Sequence, residues 1–130
     1  MEIFTINNTT LTSFTKLAAW REGHTLVLLI YRVTKMFPRE ELFGLVSQIR
    51  RAAVSITSNI AEGFSRGSYK EKIQFYTMAL GSLTELENQL LVARDVGFLA
   101  SDTFQTCAEQ AILVGRILKG LIKKLKTYVI

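Results

Sequence analysis

Apolar residues recur every three or four positions through most of this 130-residue chain, and a single proline, Pro38, interrupts them. That repeat is the period of one face of an α-helix, and no segment shows the strict alternation of an exposed strand. The glycines fall mostly near the ends of the repeating stretches, so the chain reads as a few long helices. The spacing predicts four. The first runs from Thr15 to about Met36 on a seam of Leu17, Trp20, His24, Val27, Tyr31 and Thr34. Phe37-Pro38 ends it, because the residue before proline avoids helical angles. Pro38 suits the first turn of the second helix, with Glu40 and Glu41 near the positive end of the dipole. That helix reaches about Glu62 on a seam of Leu42, Leu45, Ile49, Ala52, Ile56 and Ile60, with Gly63 as C-cap. Ser68-Tyr-Lys-Glu71 has the form of a capping box and opens a third helix. Tyr76, Ala79, Leu83, Leu86, Leu90 and Ala93 are its seam, and Gly97 closes it. Ser101 or Asp102 caps the fourth, whose seam is Phe104, Cys107, Ala111, Val114, Leu118, Leu121 and Leu125. Long helices with short links give an all-α, antiparallel up-down-up-down four-helix bundle over residues 15–130. Residues 1–14, rich in Thr and Asn, read as a flexible N-terminal arm.

Half-apolar composition matters next, because the mean hydropathy of +0.23 is high for a small helical monomer. The first helix carries Leu26, Leu28, Leu29 and Ile30 on several faces, so burial on more than one side is expected. Self-association is the usual way to cover such surface. Cys107 is the only cysteine, so no intrachain disulfide forms, and a reducing cytoplasm is the simplest setting. The first residues lack the pattern of a signal peptide, and the longest apolar run, Leu26 to Tyr31, is too short to cross a bilayer. No membrane partner is expected.

The end of the second helix is more polar than a core helix requires. Ser47, Arg51, Ser55, Ser58 and Glu62 follow at spacings of four, four, three and four, with Arg50 and Asn59 on either side. Ser82, Glu85 and Gln89 form a similar line on the third helix. Ser55, Ser58, Asn59, Glu62, Ser82 and Glu85 read best as an assembly or interhelical polar network, with Arg51 to Glu85 as one expected pair. Arg50 and Arg51 lie about 100° apart and cannot both serve one partner face.

Charge separates along the chain. Residues 68–97 hold three basic and four acidic side chains, whereas residues 98–130 hold five basic and two acidic, within a net charge of +5. Two basic patches are expected: Arg50, Arg51, Arg66 and Lys70 around the second link, and Arg116, Lys119, Lys123, Lys124 and Lys126 along the last helix. Arginine suits phosphate because its fork donates two hydrogen bonds at once. Stacking platforms for single-stranded bases are not evident, so phosphate and shape recognition is favoured over base reading. Catalysis is not expected, and no cofactor or metal is implied. His24, the only histidine, has no partner at metal-ligand spacing, and no Glu-x-x-His or Gly-rich phosphate loop occurs.

One stretch carries a resemblance. Phe37-Pro-Arg-Glu-Glu41, Gln48-Ile-Arg-Arg-Ala-Ala-Val-Ser-Ile-Thr-Ser-Asn-Ile-Ala-Glu-Gly63, Arg66 and Ala79-Leu-Gly-Ser-Leu-Thr-Glu-Leu-Glu87 resemble the bacterial four-helix-bundle proteins named after the 23S rRNA intervening sequence. They are also called the S23 ribosomal protein family. The likeness runs from about Trp20 to Leu99, with the run S-I-x-S-N-I-A-E-G its most specific part. Two positions depart from the family pattern: Thr57 stands where proline is usual, and Arg21-Glu22 follow Trp20 where Trp-Gln is common. A proline at 57 would kink the second helix, so this chain is expected to run straighter there. The resemblance implies bundles assembled into pentameric rings or barrels. It also implies an association with nucleic acid, since a similar bundle is the accessory protein of a reverse transcriptase in diversity-generating retroelements.

Two functions follow as expectations. The first is a non-enzymatic oligomer that binds nucleic acid, structured RNA such as rRNA foremost, through its basic patches. The second is a protein-interaction scaffold or accessory subunit for a nucleic-acid enzyme such as a reverse transcriptase, without direct base recognition.

Overall fold

Four α-helices carry most of the chain: α1 (Ala18–Thr34), α2 (Leu45–Ser65), α3 (Tyr69–Asp95) and α4 (Ser101–Lys126). They are seen in a computed structural model that describes residues 13–129, together with the backbone of Thr5–Ile6 and Thr9–Thr10. Those two pairs form strands β1 and β2, antiparallel, with Thr5 opposite Thr10 and Ile6 opposite Thr9. Most of the expected N-terminal arm lies outside the described residues. Ser13–Lys16 is a 3-10 turn packed against α1 and α2.

Packing runs in ring order. The largest contact joins α2 to α3, and smaller ones join α3 to α4, α1 to α2 and α1 to α4. The fully buried side chains come from all four helices, among them Leu26, Ile30, Ile49, Ile56, Ile60, Leu86, Leu90 and Leu118. An all-α helical bundle is the result.

The helix ends explain where the sequence spacing holds and where it slips. In α3 every expected seam residue is buried, and both ends are closed by local hydrogen bonds. Ser68 Oγ accepts from the Glu71 backbone N–H at 3.1 Å and donates to the Glu71 carboxylate at 3.1 Å. At the other end Gly97 takes φ +86°, its N–H bonds to the Arg94 carbonyl and that of Phe98 to the Ala93 carbonyl. This Schellman arrangement favours glycine because an L side chain is strained at positive φ.

The start of α2 differs from expectation. Pro38 precedes a separate 3-10 turn, Arg39–Glu41, and Leu42–Gly44 form a further turn before the helix begins at Leu45. Gly44 has no side chain to cap the helix; the Glu41 carboxylate reaches back instead and accepts from the Leu45 N–H at 3.1 Å. Leu42 therefore leaves the core and is 48% exposed. At the other end Gly63 is not the C-cap, since α2 continues to Ser65. Its role is contact: a Cβ there would lie 2.7 Å from Cε1 of the buried Tyr76. Only glycine lets α3 come that close. α2 also passes unbroken through Thr57, whose hydroxyl donates to the Val54 carbonyl at 3.0 Å.

α1 requires the largest correction. Its buried residues are Ala19, Gly23, Leu26, Val27, Ile30, Val33 and Thr34, so only Val27 and Thr34 of the expected seam are buried. Tyr31 is 40% exposed, while Trp20 and His24 are half-buried and stack on each other at 4.6 Å between ring centres. A helix that is apolar on most faces satisfies the three-and-four spacing in several registers. Packing chooses the one with Gly23, where a Cβ would stand 3.1 Å from Thr57 of α2. Among the described residues no helix is long and apolar enough to cross a membrane.

Candidate nucleic-acid interface

The cations expected to meet phosphate fall into two physically different groups. Arg50 leans from α2 onto α1. Its Nε donates to the Thr34 hydroxyl at 2.9 Å, a terminal nitrogen donates to the Tyr31 carbonyl at 3.4 Å, and the guanidinium lies 4.7 Å from the Tyr31 ring centre. Arg51 points to α3 and pairs with Glu85 at 2.9 Å. Arg66 pairs with Glu62 at 3.2 Å and covers the Phe75 ring at 4.5 Å. All three arginines already have protein partners. Such exposed pairs add about 1 kcal/mol or less each.

The first expected patch is also split. Arg50 lies in α2 and Arg66 just past its C-terminal end, sixteen residues on, which is about 24 Å along the helix axis. Lys70, in the first turn of α3, is grouped elsewhere: the neighbouring Tyr69 ring packs on Tyr128, just past α4, at 5.1 Å. That contact places the α2–α3 link beside the C-terminal end of α4. Lys70 thereby sits at the same end of the bundle as the α4 lysines, while Lys72 folds inward to donate to the Phe64 carbonyl.

On α4 the picture is the opposite. Arg116, Lys119, Lys123, Lys124 and Lys126 are all exposed, and none joins an ion pair among the described residues. Arg116, Lys119, Lys123 and Lys126 are spaced three, four and three and so share one helical face, with Lys124 about 100° away. The ladder is about 15 Å long. It borders two adjoining grooves between α3 and α4. One, about 550 Å³, includes Leu80, Gly81, Thr84, Glu87, Arg116 and Lys119; the next, about 380 Å³, includes Thr77, Leu80, Lys119, Lys123 and Lys126. The lysines of the last turn also face the negative end of the α4 dipole, which favours cations there without any ligand. Arg116 and Lys119, further back, gain nothing from that end.

The polar network of α2 and α3 is mostly internal. Ser55 Oγ and Ser82 Oγ are 2.8 Å apart, Asn59 donates to the Ser55 carbonyl at 2.9 Å, and Gln89 donates to Glu85 at 3.3 Å beside the Arg51 pair. Glu62 is occupied with Arg66. Ser58 stands apart, exposed along a groove of about 730 Å³ on α1 and α2 that also contains Tyr31, Leu42, Phe43, Val46, Arg50 and Arg51. Phe43 is 92% exposed. The spacing argument missed this groove because it assigned Leu42 to the core; the signal was Leu42-Phe43 beside Gly44 in a turn.

Cys107 is fully buried, and burial pushes its thiol up to about 11, away from the reactive thiolate. Among the described residues no three His, Cys, Asp or Glu side chains cluster as metal ligands would.

Residues 15–120 match the model of a family described as 23S rRNA-intervening sequence protein. A solved structure from Bacteroides thetaiotaomicron is similar in fold; it is described as a protein with unknown function from the S23 ribosomal protein family. It aligns with TM-score 0.75 at 21% sequence identity, covering 81% of this chain and 95% of that one. No curated protein matches the chain.

Proposed function

Because this chain belongs to the family of 23S rRNA-intervening sequence proteins, we propose that it is a non-enzymatic, oligomeric helical bundle that binds structured RNA through α4. The observation that carries this reading is the cation ladder Arg116, Lys119, Lys123 and Lys126, which joins no ion pair among the described residues and is extended by Lys124 and by Lys70 across the Tyr69–Tyr128 contact. The arginines of α2 are structural in it. A ring of copies multiplies each modest patch, so that weak contacts add up to useful affinity. The resemblance favours a pentamer, and the lone cysteine suits a reducing cytoplasm. Cross-helix contacts support an antiparallel up-down path: 51 with 85 and 55 with 82 between α2 and α3, 34 with 50 between α1 and α2, and 94 with 104 between α3 and α4.

The test is a gel shift with structured RNA and duplex DNA across a salt series. Neutralising about four phosphates per copy gives a log–log salt slope of about −3 to −4 per bound copy. Replacing Arg116, Lys119, Lys123 and Lys126 together by Gln should abolish the shift, while Arg51→Gln leaves it in place. No shift at low salt would sink the proposal.

One observation favours a second reading, a scaffold for a protein partner such as a nucleic-acid enzyme. The groove on α1 and α2 exposes Tyr31, Leu42, Phe43 and Val54 side by side. On that reading the α4 Gln variant binds its protein partner as the wild type does.

A further inference from the structure

We propose that the groove between α3 and α4 reads the ribose 2′-hydroxyl, and so takes RNA in preference to DNA of the same sequence. The inference rests on the RNA-binding reading above and adds which chemical group selects the ligand. The two walls of the groove differ in chemistry. The α4 wall carries Arg116, Lys119, Lys123 and Lys126, whose side chains can only donate hydrogen bonds. The α3 wall carries Thr77, Thr84 and Glu87, with Gly81 between the threonines.

That second wall offers acceptors. Thr77 Oγ1 donates to the Ile73 carbonyl at 2.8 Å, and Thr84 Oγ1 to the Leu80 carbonyl at 3.1 Å. Each hydroxyl thereby uses its one proton inside its own helix and keeps oxygen lone pairs free to accept. Both threonines are exposed. Glu87, an acceptor as a carboxylate, joins no ion pair among the described residues. A phosphate oxygen, itself an acceptor, finds no partner on this wall and is drawn to α4. A 2′-hydroxyl brings the donor that the wall can use, and DNA has none.

Both walls repeat at the same interval. Arg116 and Lys119 recur seven residues later as Lys123 and Lys126, and Thr77 and Thr84 are also seven residues apart. The larger groove joins Thr84 to Arg116 and Lys119, and the smaller one joins Thr77 to Lys123 and Lys126. One unit, a cation pair beside an acceptor, therefore occurs twice, about 10.5 Å apart. A sugar-phosphate backbone is a matching repeat, with anionic phosphate and ribose in alternation. Gly81 lies between the two units. A Cβ there would meet nothing within 4 Å, so no neighbour in the fold demands glycine, although glycine weakens a helix relative to alanine. Gly115 in the same groove differs, since its Cβ would stand 3.1 Å from Leu83. The open floor at Gly81 suits the close approach of a backbone from outside.

The test compares one hairpin sequence made as RNA, as 2′-O-methyl RNA and as DNA, all at the same low salt. Methylation removes the hydroxyl donor and keeps the A-form shape. The wild type should bind RNA roughly tenfold more tightly than either of the others, as the loss of two hydrogen bonds predicts. Thr77→Val combined with Thr84→Val removes both acceptors at nearly constant shape. It should bring RNA down to the level of the methylated hairpin, leave the methylated hairpin's own affinity unchanged, and keep full helical content by circular dichroism. Gly81→Leu, which fills the floor, should weaken all three. Equal binding of RNA and its methylated form, a threonine double variant that keeps the full preference, or a Gly81→Leu chain that binds as the wild type does would each overturn the inference and leave RNA binding through α4 standing. A wild type that binds none of the hairpins overturns both.

Discussion

Cys107 and Tyr76 show what burial does to single groups. Desolvation raises the Tyr76 phenol above its ordinary value and pushes the Cys107 thiol from about 9 up to about 11. Both groups are neutral when protonated. Above pH 9 the unfolded chain releases the thiol proton that the folded chain keeps, so this contribution to stability is complete below about pH 9. It is lost as pH rises toward about 11. Denaturant unfolding followed from pH 8 to 11 should show falling stability, and Cys107→Ala should flatten part of the fall. An unaltered slope in that variant would count against the account. At this scale the sequence is a partial guide. It marks Arg50, Arg51 and Arg66 as surplus to a core and pairs Arg51 with Glu85, as the structure does, but Thr34 and Phe75, which Arg50 and Arg66 meet, lie on other helices, and spacing along one helix cannot reveal them. Phe43 passes unnoticed for the converse reason, because exposure is a property of the turn and not of the residue.

At the scale of helices, glycine sets the closest approach. Gly63→Ala forces a methyl group against the Tyr76 ring, with Phe75 Cβ 3.1 Å away on the same side. We expect it to cost about 1–3 kcal/mol in urea unfolding, as overpacking does. Gly120→Ala, where no atom lies within 4 Å of the added carbon, should be neutral or stabilising by up to about 1 kcal/mol. Equal effects at the two positions would refute the contact argument. The same contrast explains how legible each helix is. α3 leaves Met78, Leu91 and Val92 exposed, yet its seam from Tyr76 to Ala93 keeps an unbroken alternation of three and four residues, so it can be read off. α1 carries Leu28 and Tyr31 outside its buried face, and the weight of Trp20 and Tyr31 favours the wrong register when Gly23 marks the right one. α2 begins late because Glu41, four residues ahead of Leu45, does the capping.

Across the whole molecule, contacts differ greatly in the length of chain they close. The link between α2 and α3 is Arg66, Gly67 and Ser68 alone, and these two helices share the largest contact. By comparison the α1–α4 contact between Glu22 and Gln110 spans 88 residues. Closing a short loop costs less entropy than closing a long one, so the α2–α3 hairpin should form early and α1 against α4 late. The expectation is testable by rate analysis: Leu83→Ala or Ile56→Ala should slow folding, while Val114→Ala should act mainly by speeding unfolding. The reverse pattern would reject this order. A chain emerging from synthesis would then hold its hairpin once Asp95 is free. The cation ladder of α4 would join the molecule last, so a half-made chain would carry its lysines on a strand without form, and the surface proposed to meet RNA would exist only in the finished fold.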